Sequence, residues 1–240
     1  MSCVNGAFSD RWHVVAQANG KSADRLEMPW EQPISADRVY EALKSKSYEV
    51  LTVVHNETST GLQNPVGEIA AAARQASPET LICVDAVSSL GGVKIDMDGR
   101  GLDVVLSSSQ KCLGLPPGLS LDAVSDRALE RARNVPDRGW YFDFLRLERH
   151  RLNDSTPATP PMPLIYALRV QLDRIWEEGL ENRFARHCAM AERLHDWVLE
   201  RGLGLFAPDG FRSTTVTAVN NHLELEFDKL NAYLMKKTCV

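Results

Sequence analysis

The apolar positions of this chain follow one rhythm before Pro161 and another after it. Short runs rich in β-branched residues occur at Val50-Leu51-Thr52-Val53-Val54, Leu81-Ile82-Cys83-Val84 and Leu102-Asp103-Val104-Val105-Leu106. Each is too short for a buried helix, so each predicts a strand. Between the first two, Pro65 to Ser77 places Val66, Ile69, Ala70 and Ala73 at helical spacing, opened by one proline and stopped before Pro78. A βαβ unit follows. The connection to the third strand is short and carries Gly91-Gly92, yet it meets the minimum of about a dozen residues that parallel pairing requires. From Pro161 onward, Leu164, Leu168, Leu172 and Ile175 form one stripe, and Phe184, Met190, Leu194, Trp197 and Val198 another. Both predict core-facing helices. After breaks at Gly202-Leu203-Gly204 and Pro208-Asp209-Gly210, the run Thr214 to Val219 predicts a strand and Phe227 to Lys236 a helix. The expected organisation is a large, mainly parallel α/β unit over residues 1–178. A connecting helix and the start of a small α+β unit occupy 179–240.

Composition narrows the partners. The 240 residues are 44% hydrophobic and 25% charged, enough apolar material for a sizeable core. Their 27 Lys and Arg against 32 Asp and Glu give a net charge of -5 without long like-sign runs, so nucleic acid is not an expected partner. No stretch reaches the roughly 18 apolar residues of a membrane span, and Met1 to Gly6 has neither a basic nor an apolar leader pattern. The five cysteines, Cys3, Cys83, Cys112, Cys188 and Cys239, are odd in number and widely spaced, which suits free thiols in the cytoplasm. The sequons at Asn56 and Asn153 are read as chance matches, and Thr238-Cys239-Val240 carries no lipidation or peroxisomal signal.

Each predicted strand ends in a polar cluster: His55-Asn56-Glu57-Thr58-Ser59-Thr60-Gly61, Asp85-Ala86-Val87-Ser88-Ser89, and Ser107-Ser108-Ser109-Gln110-Lys111. Ligands of an open parallel sheet bind outside the carboxyl ends of its strands, so the three clusters would converge. Taken singly, each is also what an ordinary loop or cap looks like. Asp85 directly after an apolar run calls for a cation or a strong donor, or else caps a turn. Lys111, beside Cys112, Leu113 and Leu115, is expected to be partly desolvated, which would make it a usable nucleophile or base; the alternative is a snorkelling surface lysine. A carboxylate and a lysine on one crevice serve pyridoxal phosphate, through a Schiff base on the lysine and a carboxylate that keeps the pyridine nitrogen protonated.

Five segments together resemble the class V aminotransferases, most closely the alanine-glyoxylate and serine-pyruvate branch. They are Asn5 to Arg11, His55 to Gly61, Val84 to Gly92, Ser108 to Lys111 with Pro116-Pro117-Gly118, and Ser155 to Pro160. The resemblance runs in order along nearly the whole chain. It implies the α/β/α sandwich of fold-type I pyridoxal-phosphate transferases, present in part, and amino transfer from alanine or serine to glyoxylate or pyruvate. It also implies a role for each site residue. Lys111 would carry the Schiff base and shuttle the proton, while Asp85 would pair with the pyridinium. Val87 would lie beneath the ring, and Phe8 would stack on its other face. Thr58 would bond near the 3′-oxygen and Gln110 near the phosphate. Thr156 and Thr159, held extended by Pro157, Pro160 and Pro161, would reach the phosphate of the neighbouring subunit in a homodimer.

The same resemblance marks two departures. The family's Gly/Ser-rich phosphate turn and its substrate-carboxylate arginine have no counterpart here, so weak cofactor binding and poor turnover are expected. A catalytically inert fragment or dimerising partner is therefore an alternative. A lyase or desulfurase is another, although no cysteine sits in an obvious exposed catalytic loop. Ser108 to Lys111 also fits the S-x-x-K of penicillin-recognising hydrolases, but Lys237-Thr238-Cys239 misses the K-T-G glycine and S-D-N is absent. No metal-ligand spacing occurs among the six histidines, and Gly202-Leu203-Gly204 lacks the third glycine of a dinucleotide turn.

Overall fold

A computed structural model describes residues 1–237; the end of the Lys237-Thr238-Cys239 stretch and the fifth cysteine lie outside the described residues. The first half alternates strands and helices. In order come β1 (Ser2–Val4), α1 (Ala7–Ala18), β2 (Arg25–Glu27), α2 (Ala36–Ser45), β3 (Val50–Val54), the short pair β4 (Asn56–Glu57) and β5 (Leu62–Gln63), α3 (Val66–Ala76), β6 (Leu81–Asp85), β7 (Val104–Ser108) and β8 (Ser120–Val124). Helices then dominate: α4 (Asp126–Arg133), α5 (Phe144–Leu152), α6 (Met162–Glu178) and α7 (Leu180–Glu200), followed by β9 (Gly204–Leu205), β10 (Val219–Asn220) and α8 (Phe227–Lys237).

Six strands form one sheet in the order β2-β1-β3-β6-β7-β8, parallel except for the antiparallel edge strand β8. The three strands predicted from β-branched runs are therefore neighbours. Alternation assigns their two faces. Leu51, Val53, Ile82, Val84 and Val105 meet Val39 and Leu43 of α2 and Ile69, Ala70 and Ala73 of α3 in the main core. On the opposite face, Leu81 and Val104, with Val50 and Cys83, pack against Ala128 of α4 and Phe144 of α5. Helices thus cover both faces. A buried ionic node fixes the near end of the sheet: Asp103 accepts from Arg74 and Arg127, from Ser125 Oγ, and from the Ile82 N–H at 2.7 Å. Burial alone would raise its carboxyl pKa, but Arg127, the Ile82 amide and Arg74 together hold it below the usual carboxylate range.

Three sequence expectations are corrected. The third strand is Val104–Ser108 rather than Leu102 to Leu106, because pairing with β8 carries it on through Ser107 and Ser108, while the Asp103 side chain is taken up by that node. The strand predicted at Thr214 to Val219 shrinks to Val219–Asn220, since the Thr215 and Val216 N–H groups donate to Ser213 Oγ in a local turn rather than to a neighbouring strand. The two late helices also bury less than their stripes promised. Ile175 and Val198 are buried, but Leu172, Met190, Leu194 and Trp197 are exposed. The chain turns from α6 to α7 at Gly179, whose φ of 80° suits a residue without a Cβ.

Candidate active site

The carboxyl ends of β3, β6 and β7 lie side by side, and the polar cluster after each is knitted to its neighbour. Val54 pairs with Asp85 and Asp85 with Leu106, so His55, Asp85 and the Ser107 to Lys111 segment leave the same edge of the sheet. Asp85 shares its face with Leu81 and Cys83, and α1 approaches it there. Its Oδ2 accepts from Trp12 Nε1–H at 3.0 Å and its Oδ1 from its own Val87 N–H at 2.9 Å. No cation meets the carboxylate among the described residues; two neutral donors do, one of them in a local turn. Burial, helped by the like charge of Glu57, raises its pKa, and the two donors partly offset that rise.

Glu57 carries α1 into place. Fully buried on β4, its carboxylate accepts from the Phe8 and Ser9 N–H groups at 3.2 and 2.8 Å and from Ser59 Oγ at 2.6 Å. Those amides are the orphan donors of the helix N-terminus, where a carboxylate is electrostatically favoured. A Cβ at Gly6 would overlap the Glu57 side chain, so this approach needs glycine. Phe8 consequently sits at the first turn of α1, half-exposed, with the Arg11 guanidinium 5.2 Å from its ring centroid.

The remaining residues of the β3 and β6 ends form one polar web. Thr58 Oγ1 lies 2.8 Å from Ser88 Oγ, and Ser88 Oγ donates to Asn56 O at 3.0 Å. Asn56 Nδ2 reaches Ser213 and Thr215 at 2.8 and 2.7 Å, tying the segment before β10 to the site. His55 is buried with Nδ1 3.0 Å from Ser89 Oγ, and burial lowers its pKa to about 4, so the imidazole is neutral. From α7, the buried Arg183 donates Nε–H to Gly91 O and Nη2–H to Cys112 O, each at 2.6 Å, while Nη1–H meets Glu178 at 2.9 Å. It clamps the loops after β6 and β7 together beside Lys111.

Lys111 itself is exposed, contrary to the expected desolvation, because its apolar neighbour Leu113 turns inward while the lysine turns out. Among the described residues it has no hydrogen-bond or ion-pair partner. Gln110 is likewise exposed. Thr156 donates to Ala158 O at 2.8 Å, and both Thr156 and Thr159 lie on an exposed segment outside the bonded web. Sequence reasoning passed over Trp12, Glu57 as a cap, and Arg183. The first had a signal, since it lies one helical turn beyond Phe8 and shares its face.

The residues present fit pyridoxal phosphate. Among the described residues, an amine without a hydrogen-bond or ion-pair partner follows β7, an oriented carboxylate ends the adjacent β6, Ser108 Oγ at the end of β7 is enclosed without a partner, and Phe8 stands on the α1 side. The profile of the family described as "Aminotransferase class-V" matches residues 6–237. The chain belongs to the class-V aminotransferase family. An uncharacterized aminotransferase of Methanocaldococcus jannaschii is 37% identical over 240 residues, covering 99% of this chain and 62% of the relative. A serine–glyoxylate aminotransferase of Methylorubrum extorquens is 35% identical over 223 residues, covering 89% of this chain and 56% of that protein. The crystal structure of an alanine–glyoxylate aminotransferase from Nostoc sp. superposes with a TM-score of 0.92 at 32% identity, over 98% of this chain and 63% of that one. This class-V family member therefore has the fold of the pyridoxal-phosphate transferases of type I, and it spans about three-fifths of the length of those relatives.

Proposed function

We propose that this chain carries the cofactor face of a pyridoxal-phosphate transaminase that moves an amino group from alanine or serine to glyoxylate or pyruvate. The observation that supports it most is the placement of Lys111 and the doubly held Asp85 on adjacent parallel strand ends, with Phe8 brought alongside by the Glu57 cap. Bound pyridoxal phosphate supplies an electron sink that acidifies the α-proton of an amino acid. The chain's own residues then have distinct tasks. Lys111 Nζ would hold the cofactor and, once freed as an amine, would accept the proton from Cα and release it to the cofactor side of the same face. Asp85 would keep negative charge near the ring nitrogen, and Phe8 and Val87 would flank the ring and exclude water. Thr58 would serve the 3′-oxygen side, and Gln110 the phosphate. The boundary at 178/179, supported by the turn at Gly179, separates the cofactor-binding unit from the smaller one.

We further propose a homodimer in which Thr156 and Thr159 reach the phosphate of the partner's site; their exposure on a proline-rich segment favours that role. A cytoplasmic setting accords with four free cysteines among the described residues. No helix of the described residues is long and apolar enough to cross a membrane. The test is direct. Adding pyridoxal phosphate to purified protein should give a lysine-bound absorbance band that borohydride fixes at Lys111 and that Lys111→Ala abolishes. Amino transfer to glyoxylate then identifies the donor. Folded protein that forms no such adduct would establish the inert-fragment alternative.

A further inference from the structure

Among the described residues, Trp12 is the one side chain from another element that hydrogen-bonds the Asp85 carboxylate. Its indole N–H spans 73 residues of sequence to Asp85 Oδ2 at 3.0 Å, while the Val87 amide takes Oδ1 at 2.9 Å. A carboxylate held at both oxygens cannot rotate, and each oxygen still keeps a lone pair for a cationic ring N–H. We infer that Trp12 is a positioning residue that fixes the orientation and the ionised form of Asp85, and through it the protonation of the cofactor ring. The inference rests on the proposed pyridoxal-phosphate function.

The surroundings explain why such a donor is needed. Across the sheet Asp85 faces Val54 and Leu106, neither of which can stabilise an anion. His55 offers it only a backbone N–H to the Asp85 carbonyl, its own ring being turned to Ser89. The charge that acts on it from β4, Glu57, has the same sign. Two neutral N–H donors are therefore what opposes protonation, and Trp12 is the removable one. Phe8 and Trp12 are four apart on one helix, so the cap that delivers the stacking ring also delivers the donor.

Trp12→Phe keeps the aromatic bulk and deletes the N–H. In cofactor-free protein labelled with ¹³C at aspartate carboxyls, the Asp85 resonance should titrate higher in this variant by roughly one pH unit. Pyridoxal-phosphate affinity at neutral pH should fall about tenfold, a loss of this size following from one charge-assisted hydrogen bond. The affinity loss should also vanish in an Asp85→Asn background, because both changes act through one carboxylate. Trp12→Ala provides a second probe: if packing alone matters, it weakens binding equally in both backgrounds. An unmoved Asp85 titration in folded Trp12→Phe, or additive losses with Asp85→Asn, overturns the inference while the cofactor reading stands. A moved titration in a chain whose wild type forms no Lys111 adduct overturns the role together with that reading.

Discussion

His55 is neutral within a buried web, and its charge state gives stability a pH dependence whose sign is fixed. Its folded pKa of about 4 lies below the ordinary 6.5, so the unfolded chain binds the extra proton first. The stabilisation is therefore complete above about pH 6.5 and is lost as pH falls toward 4; that gap corresponds to roughly 3 kcal/mol. Urea unfolding at pH 7 and pH 4.5 should show a falling midpoint, and His55→Gln should flatten that fall. Asp103, held low by Arg127, the Ile82 amide and Arg74 against its burial, acts in the same direction at lower pH. At this scale, the convergence of the Asp85 and Lys111 segments on one sheet edge was legible, because each follows an apolar run that reads as a strand. Glu57 was not, because a cap reaching α1 from about fifty residues away leaves no local spacing to read.

At the scale of elements, the clamp from α7 is the feature with most consequence. Arg183→Met removes the donors of Gly91 O and Cys112 O, and each buried carbonyl left alone costs about 1–3 kcal/mol. Thermal unfolding should shift down accordingly, with hydrogen exchange rising at residues 88–92 and 111–114. Arg183→Lys should recover only part, since a point charge cannot serve two carbonyls and Glu178 in one plane. The elements themselves divide by what specifies them. β3, β6 and α3 were readable from apolar run and period. β1 and β2, three residues each, and the antiparallel edge β8 with mostly exposed residues carry too little pattern to announce a strand. They exist because neighbours supply their hydrogen bonds.

Across the whole molecule, apolar surface remains open along the late helices, with Tyr166, Val170 and Trp176 on α6 and Met190, Leu194 and Trp197 on α7 all exposed. Exposed apolar side chains in this number favour association. Sedimentation of the 240-residue chain should give a mass that rises with concentration, and Trp176→Glu, on a residue 82% exposed, should reduce that rise without lowering the unfolding midpoint. The helical stripes were read from sequence as core-facing because periodicity reports which face is apolar, not what covers it. The Glu57 cap has a temporal meaning as well. The first turn of α1 is anchored to a strand end 48 residues away, and Trp12 to another 73 residues away. Closing those loops costs entropy before any contact rewards it. The helix that frames the site precedes β3, β4 and β6 in the chain, yet it must wait for them before its working face can form.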